Sequence, residues 1–489
     1  MKRFLWLGFV LSLYLICTGC GETFRPIIIP NPPIFPNPAG AHTVVSINNN
    51  GSVVPGTAMV IDVSGDSVVS IANVGLAPVH SVQQSASEIL VANHSAAGTV
   101  ADSITTLNFS GTTIAGTSTI SLPPNSAPSY VAVAPSATTA YVTLPSFAPP
   151  SVGVINTLSN SLTTTVAVGN QPDAIGVTPD NTKFYAANYG DSTLNGFNTA
   201  DLSPRTINGS FNAPVWVIAR NDSQRLYVLN GTTGTPQDGV LSTIDTTSTA
   251  GPDTVIDASV KVPGATFMLY DGNLNRLYIP WGGQLTILDV SQSIPAVLAG
   301  GPITTCDQPM PSISCISTVP PSSRGATDPC LLTNTQTLTV AAVTALPNGS
   351  RAYVAAYYED SDNNICPQVT AIDAASNTVT DSTPIPGFPD ATIPYLPGGG
   401  MVPDPYYVPA CVPPTPPAPY HATFRFMMAA GGDSSRAYLA SCDAGNVNVV
   451  DTSNDTYILN QPAPIGTRAP ISPGQLNPPQ NPVFLIGGP

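Results

Sequence analysis

Residues 184–188 read FYAAN, and short relatives of this stretch recur along most of the chain. In each copy, apolar residues that favour a β-strand follow a polar turn. Self-similarity at a period of about 20 to 50 residues is typical of repeat architectures, so the repeat decides the fold. The copies lie at residues 89–93, 140–143, 184–188, 226–230, 277–280, 352–355 and 437–440.

The residues around each copy complete a unit of four short strands. An apolar strand precedes each copy, and a third strand that ends in Asn or Asp follows it, as at Asn198 and Asp245. A fourth strand comes next, and turn residues recur every 8 to 12 residues or so, without a convincing helical segment between them. Units of four short strands predict an all-β fold, a β-propeller.

The repeat resembles that of the YVTN-type propellers, through YVTL at residues 141–144 and YAAN at residues 185–188. The resemblance extends from residue 58 to about residue 460. It implies a propeller built from similar blades. It implies no particular activity, because that family has no single one.

Both termini supply parts of a further blade. Residues 59–62 and 66–69 repeat the third and fourth strands, while residues 43–46 fit a second strand and residues 482–486 a first. Propellers close their ring by building one blade from both termini, which leaves no unpaired edge. The sequence therefore predicts seven complete repeats and one composite blade. A seven-blade ring with a spare terminal hairpin is the alternative.

The N-terminus predicts export. Lys2 and Arg3 precede an apolar run over residues 4–16, which is too short to span a bilayer as a helix. Residues 17–21 read CTGCG and resemble a bacterial lipoprotein signal, with Cys20 as the acylated residue and Cys17 where leucine is usual. An ordinary cleaved signal is the alternative. By analogy, glycine at position 21 favours the outer membrane or the cell surface, with the lipid as the only membrane anchor.

The chain divides into three regions. Residues 1–19 form the signal peptide, and residues 20–41 form a tether whose many prolines favour extended polyproline II. Residues 42–489 form a single propeller domain, with loop insertions at 290–338 and 386–422.

Composition excludes several classes of function. The net charge is −15, which repels a phosphate backbone and argues against nucleic-acid binding. After the signal, the only lysines are Lys183 and Lys261, which leaves little material for a phosphate-binding loop or a Schiff base. Yet 42% of the residues are hydrophobic, enough for a large core.

Strand direction assigns every connection to a face of the ring. Loops between second and third strands share one face, here called the loop face, with the connections between blades. The other turns lie on the opposite face, the turn face, and are short. The long insertions all fall on the loop face, which predicts that this face binds a partner. The alternative is that proline-rich insertions only cover the mouth of the channel.

Cysteine usage draws attention to the same face. Six cysteines, all within or beside these loops, remain after residue 20, and in an exported chain they predict up to three disulfides with their pairing open. A metal site is disfavoured, because no Cys-x-x-Cys motif and no nearby histidine accompany them. The cysteines are Cys306, Cys315, Cys330, Cys366, Cys411 and Cys442.

Basic residues occur in two settings. Five precede the repeat tyrosine by two residues, and this periodicity predicts a role in building the blades; they are Lys183, Arg225, Arg276, Arg351 and Arg436. Arg220 and Arg425 break the repeat and lie at or in first strands. Those two arginines are therefore the basic candidates for contact with a ligand.

Support for catalysis is weak. Gly-x-Ser-x-Gly and Cys-x-x-Cys-His motifs are absent, which disfavours a hydrolase elbow and covalent haem. Lactonases and other enzymes share propeller folds. A site of that kind would need imidazoles and carboxylates at the channel, and His80, His94 and His421 are the candidates.

One acidic loop has the beginning of a calcium-binding sequence. Asp360, Asp362 and Asn364 have the Asp-x-Asp-x-Asn spacing, but Ile365 and Ala371 replace the glycine and glutamate that such loops need. A solvated turn is the preferred interpretation, and no other cofactor is indicated.

These observations together predict an exported, lipid-anchored propeller that binds an envelope protein or a glycan through its loop face. The competing hypothesis is an enzyme of lactonase type that uses the same face.

Overall fold

The computed structural model describes residues 42–51, 54–94, 102–231, 239–299, 328, 330, 338–390, 411, 424–458 and 481–488. The signal peptide and the tether lie outside these residues, as do Cys20, Cys306, Cys315 and His421. The regular elements in the described part of the chain are strands, and they form eight sheets. None of the described residues forms a helix with the length and hydropathy that crossing a membrane requires.

The first four blades follow the chain in order. Blade 1 contains β1 (Thr43–Asn49), β2 (Pro55–Asp62), β3 (Ser67–Leu76) and the C-terminal strand β34 (Asn481–Gly487). Blade 2 contains β4 (Pro78–Ser85), β5 (Glu88–Asn93), β6 (Ser103–Ser110) and β7 (Thr113–Ser121). Blade 3 contains β8 (Val131–Val133), β9 (Thr139–Leu144), β10 (Ser151–Asn156) and β11 (Ser161–Ala167). Blade 4 contains β12 (Pro172–Val177), β13 (Lys183–Asn188), β14 (Thr193–Asn198) and β15 (Pro204–Arg205).

Two of the last four blades, blades 5 and 7, include a short fifth strand. Blade 5 contains β16 (Ile207–Asn208), β17 (Pro214–Ala219), β18 (Arg225–Asn230), β19 (Val240–Asp245) and β20 (Asp253–Lys261). Blade 6 contains β21 (Leu269–Asp271), β22 (Arg276–Trp281), β23 (Gln284–Asp289) and β24 (Ala296–Ala299). Blade 7 contains β25 (Thr339–Ala345), β26 (Arg351–Glu359), β27 (Asn364–Asp373), β28 (Thr378–Pro384) and β29 (Phe388–Pro389). Blade 8 contains β30 (Phe426–Ala430), β31 (Arg436–Ser441), β32 (Asn446–Asp451) and β33 (Thr456–Tyr457).

Blade 1 is the composite blade that the sequence predicts. Its sheet order is β3-β2-β1-β34, and β1 pairs antiparallel with both β2 and β34, Ser46 lying opposite Met59 and Leu485. The C-terminal strand therefore supplies the innermost strand of the blade that holds the N-terminal strands. The prediction of eight blades is confirmed, and the alternative of seven blades with a spare hairpin is wrong.

The repeat tyrosines explain why the second strand of each blade carries the signature. Six of them are almost fully buried: Tyr141, Tyr185, Tyr227, Tyr278, Tyr353 and Tyr438. Burying a side chain of this size stabilises the fold by about 1.5–3 kcal/mol relative to leaving it exposed. Fourth strands, such as β11, alternate instead between exposed and half-buried residues, because they form the outer rim.

The periodic basic residues join neighbouring blades. Each lies at the start of a second strand and donates to the turn between the third and fourth strands of the next blade. Arg351 in blade 7, for example, donates to Thr452 O and to Asp455 Oδ1 in blade 8, both at 2.7 Å. The other four donate to Ser248 O (Lys183), Ser293 O (Arg225), Ala374 O (Arg276) and Asp66 Oδ2 (Arg436). The predicted blade-building role is confirmed, and we call these five residues the joint cations.

The joint between blades 4 and 5 is the most elaborate. Asp253 accepts from Lys183 Nζ at 2.9 Å, from Arg205 Nε at 2.9 Å and from the Tyr185 hydroxyl at 2.8 Å. The Asp253 side chain is 0% exposed, and the two cations are 6% and 4% exposed. The joint between blades 8 and 1 repeats this arrangement more simply, since Arg436 and Tyr438 both donate to Asp66.

Candidate functional site

Six aromatic rings from six blades meet at the centre of the propeller. They form a closed circuit of contacts in the order Phe484, His80, Tyr130, Trp216, Phe267 and Phe424. The centroids of neighbouring rings are 4.0 to 6.1 Å apart, and each ring is buried. Rings from blades 5 and 8 touch at 6.2 Å, a contact that non-adjacent blades make across the central channel. These rings therefore pack across the channel and hold the blades together there.

His80 belongs to this cluster. Its ring stacks on Tyr130, and its Nδ1 accepts a hydrogen bond from the Val131 amide at 3.4 Å. Burial lowers the pKa of the His80 imidazole to about 3, because no water reaches the ring to stabilise the charged form. The imidazole is therefore neutral near pH 7.

Asp173 is a buried carboxyl that sequence reasoning did not single out. It lies near the start of β12, the first strand of blade 4, and is 3% exposed. Among the described residues, neither of its carboxyl oxygens has a hydrogen-bond partner. Burial raises the pKa of Asp173 well above its usual value. A carboxyl in such a place favours its protonated form.

His94 lies on the loop face of blade 2, at a different place from His80. Its Nδ1 is 3.4 Å from Asp102 Oδ1, and its side chain is 38% exposed. Asp102 is buried, and its carboxylate accepts from the Ala127 amide and the Ser126 hydroxyl. The structure therefore pairs His94 with a carboxylate, whereas it surrounds His80 with aromatic rings.

Two disulfides brace the loop face. Cys330 bonds to Cys366 in β27, and Cys411 bonds to Cys442 directly after β31. In each pair one cysteine belongs to an insertion between blades and the other to a blade, and all four are buried. Disulfides at four of the six predicted cysteines are thus confirmed. The other two cysteines lie outside the described residues.

Arg220 has structural partners on the turn face. Its guanidinium donates to both carboxylate oxygens of Asp222, at 2.9 and 2.7 Å. A third nitrogen donates to the carbonyls of Val290 and Gln292, which follow β23 in blade 6. Arg220 therefore adds a second cation to the joint between blades 5 and 6. Contact with a ligand stays a prediction for this residue.

Arg425 lies on the loop face, directly before β30. One guanidinium nitrogen is 2.7 Å from Asp443 Oδ2 and 2.6 Å from Asp390 Oδ1, and the group lies over the Tyr357 ring, 5.3 Å from its centroid. Burial lowers the pKa of Arg425, but the charges of Asp443 and then Asp390 outweigh it and raise this pKa overall. Arg425 therefore ties blade 8 to blade 7 beside the Cys411–Cys442 disulfide, and a ligand contact stays a prediction here too.

The loop with the calcium-like spacing is a tight turn. Asp360 Oδ1 accepts from the amides of Asp362 and Asn364, both at 2.9 Å, and Oδ2 accepts from the Asn364 side chain. Asp360 is 5% exposed, whereas Asp362 lies at the surface. Its hydrogen bonds give Asp360 a turn-forming role, and calcium binding stays a prediction.

No family model matches the chain, and no curated protein matches it. It resembles hydrazine synthase of Kuenenia stuttgartiensis, at 15% identity and a TM-score of 0.45, over 76% of this chain and 94% of that one. A functionally unknown protein of Desulfotomaculum acetoxidans is 9% identical, with a TM-score of 0.48 over 70% of this chain and 95% of that chain. A candidate 6-phosphogluconolactonase of Bacteroides uniformis is 11% identical, with a TM-score of 0.43 over 69% and 94%. These similarities concern overall structure alone.

Proposed function

We propose that the chain is an exported, lipid-anchored propeller that binds an envelope protein or a glycan through its loop face. The observation that carries this proposal is the pair of disulfides on that face. Disulfides persist in oxidising compartments, so they support export independently of the N-terminal sequence. They also fix parts of two insertions against the blades, which lowers the entropy that a binding loop loses on association.

The centre of the ring favours binding on the face over chemistry inside the channel. His80 is neutral, stacks on Tyr130 and packs at a tilt against Phe484, so it is poorly placed to act as a general acid. The partner must also tolerate a chain of net charge −15, which favours neutral glycans and neutral or basic protein surfaces.

The lipid anchor is tested in a diderm bacterium that expresses the full chain. The cells are grown in medium that contains a labelled fatty acid. We expect label in the wild type and in the Cys17→Ser control, and none in Cys20→Ser. Surface protease digestion then separates an outward-facing location from a periplasmic one. Label in Cys20→Ser would contradict the anchor.

Binding is tested by titrating the full chain with neutral envelope glycans and by capture from envelope extracts. We expect saturable binding that weakens in the Cys411→Ser/Cys442→Ser double variant. Asp222→Ala on the turn face is the matched control and should bind as the wild type does. An equal loss in both variants, or no saturable binding, would contradict recognition by the loop face.

The second candidate is an enzyme of lactonase type, and the His94–Asp102 pair on the loop face favours it. A carboxylate beside an imidazole can orient it as a general base. The test is turnover of small lactones with and without divalent metals. Activity that His94→Ala abolishes and His80→Phe retains would favour the enzyme.

A further inference from the structure

A buried carboxylate lies beside one of the two disulfides. The sulfurs of Cys330 and Cys366 and a carboxylate oxygen of Asp360 all lie within 4.8 Å of one another. All three residues are buried. No other group of three such ligands occurs in the described part of the chain, so the Cys411–Cys442 disulfide lacks this neighbour there.

We propose that reduction of the Cys330–Cys366 disulfide creates a zinc site with two thiolates and the Asp360 carboxylate as ligands. Two electrons and two protons from a dithiol reductant convert the disulfide into two thiols, and the reductant becomes a disulfide. Zinc then binds the two sulfurs, and their two protons go to solvent. Thiolate ligands favour zinc over calcium.

The backbone geometry suits both states. The Cα atoms of Cys330 and Cys366 are 5.8 Å apart. Tetrahedral zinc with bonds of about 2.3 Å holds two sulfurs about 3.8 Å apart. Rotation of the two side chains can separate the sulfurs to that distance while the two Cα atoms keep their spacing. A water molecule then completes the coordination, as in zinc sites with three protein ligands.

Hydrogen bonds from the surrounding chain hold the ligands in place. Asp328 Oδ1 accepts from the amides of Cys330 and Gly387, at 3.0 and 3.3 Å. Asp360 is held by the amides of Asp362 and Asn364, and Cys366 lies in the paired strand β27. Hydrogen bonds of this kind around a metal site orient its ligands and raise its affinity for the metal. The dication also offsets two of the three negative charges that its ligands would otherwise bury together.

The test compares zinc bound to the reduced full chain and to matched variants. The disulfides are reduced with a phosphine, which becomes the phosphine oxide, and the reductant is removed before zinc is added. Bound metal is counted by mass spectrometry, and affinity is measured by competition with a chromophoric chelator. Asp360→Asn is the decisive variant, because its amide oxygen still accepts the two turn hydrogen bonds.

We expect the reduced wild type to hold one zinc ion more than the oxidised chain and one more than reduced Asp360→Asn. Loss of a metal ligand should lower zinc affinity at least as much as loss of a contact that supports the ligand. We therefore expect Asp360→Asn to lower the zinc affinity of this site by about 100-fold or more. The Cys411→Ser/Cys442→Ser control should retain the ion. Cobalt in place of zinc should give thiolate charge-transfer absorbance that Cys366→Ser abolishes.

Equal zinc affinity in the reduced wild type and in reduced Asp360→Asn would overturn the proposal, as would no gain of zinc on reduction. Cys366→Ser is interpreted only where its melting curve matches that of the reduced wild type, and otherwise Asp360→Asn decides. The result is independent of the glycan and protein assays, which use the oxidised chain.

Discussion

The joints between blades fall into two groups. From blade 4 round to blade 1, each of five joints carries a joint cation that donates to the turn of the next blade. At the same strand position, blades 1, 2 and 3 carry Thr43, Glu88 and Thr139 instead. Neighbouring blades of the propeller are therefore joined in two different ways.

The joints without a cation use smaller polar contacts and ring stacking. Gln84 donates to Ala137 O between blades 2 and 3, where His80 also stacks on Tyr130. Tyr141 stacks on Phe184 between blades 3 and 4, with centroids 4.3 Å apart. The difference shows that the blade repeat specifies the strands, whereas each joint can be made from charge or from aromatic packing.

The largest effect should follow the loss of Asp253. Asp253→Ala leaves Lys183 and Arg205 buried without their carboxylate, and stranding buried charges costs about 3–5 kcal/mol. We expect this loss in the free energy of unfolding, measured by urea denaturation. Asp245→Ala is the control, because Asp245 is 36% exposed and 3.2 Å from Arg225, and an exposed pair contributes less than about 1 kcal/mol. Equal losses in both variants would remove the distinction between buried and exposed joints.

The second effect concerns acid stability at the joint between blades 2 and 3. The folded chain holds the pKa of His80 at about 3, whereas a histidine in the unfolded chain has its ordinary pKa of 6.5. The unfolded state therefore gains a proton first as the pH falls below 6.5. The stability that neutral His80 contributes is complete above that pH and declines by about 1.4 kcal/mol per pH unit down to about pH 3.

His80→Phe removes this titration and keeps an aromatic ring against Tyr130. We expect the wild type to lose on the order of 2 kcal/mol more than the variant between pH 7 and pH 5. Urea denaturation at several pH values measures both profiles. Parallel profiles would show that His80 is accessible to protons in the folded chain.

Much of the ring could be predicted from sequence because its signals are periodic. Residues 482–486 fit a first strand, and residues 43–46 fit a second, so the composite blade could be predicted before the structure. The five joint cations were likewise predictable, since each precedes a buried tyrosine by two residues. Their acceptors were not, because an insertion lengthens the spacing from 65 residues for Lys183 and Ser248 to 98 for Arg276 and Ala374. Closure of the ring also places Asp66, the acceptor of Arg436, 370 residues before it.

The centre of the ring was missed for a related reason. The six rings belong to four residue types and do not share one local motif, although four follow the pattern Pro-x-aromatic that ends at His80, Tyr130, Trp216 and Phe484. Asp173 holds the position between proline and alanine in blade 4, and its burial depends on neighbouring blades. The cluster of Cys330, Cys366 and Asp360 was hidden too, because an insertion brings the first cysteine to the other two residues.

A smaller effect should follow a change at the joint that closes the ring. Arg436→Met keeps the apolar stem of the side chain but removes the guanidinium that donates to Asp66. The Tyr438 hydroxyl still donates to this carboxylate, which is 2% exposed. Loss of one charged donor to a buried carboxylate costs about 1–3 kcal/mol, less than stranding two buried cations. Urea denaturation measures the loss, and Arg436→Lys should recover part of it. A loss as large as that of Asp253→Ala would show that closure dominates the stability of the ring.

The smallest effect tests whether the two kinds of joint can be exchanged. Thr139 pairs with Asn156, as Lys183 pairs with Asn198, so Thr139→Arg places a cation at the start of the second strand of blade 3. Its acceptors would be the backbone carbonyls of the turn after Asn198, the kind of acceptor that Lys183 finds in blade 5. We expect a gain of at most about 1 kcal/mol in the free energy of unfolding, because a partly exposed contact gives little net energy. Thr139→Met controls for the longer side chain. A gain of stability in the arginine variant alone would show that a joint cation works wherever the strand register places it. A loss of stability would mean that the Tyr141–Phe184 stack sets a joint geometry in which the guanidinium cannot reach the turn.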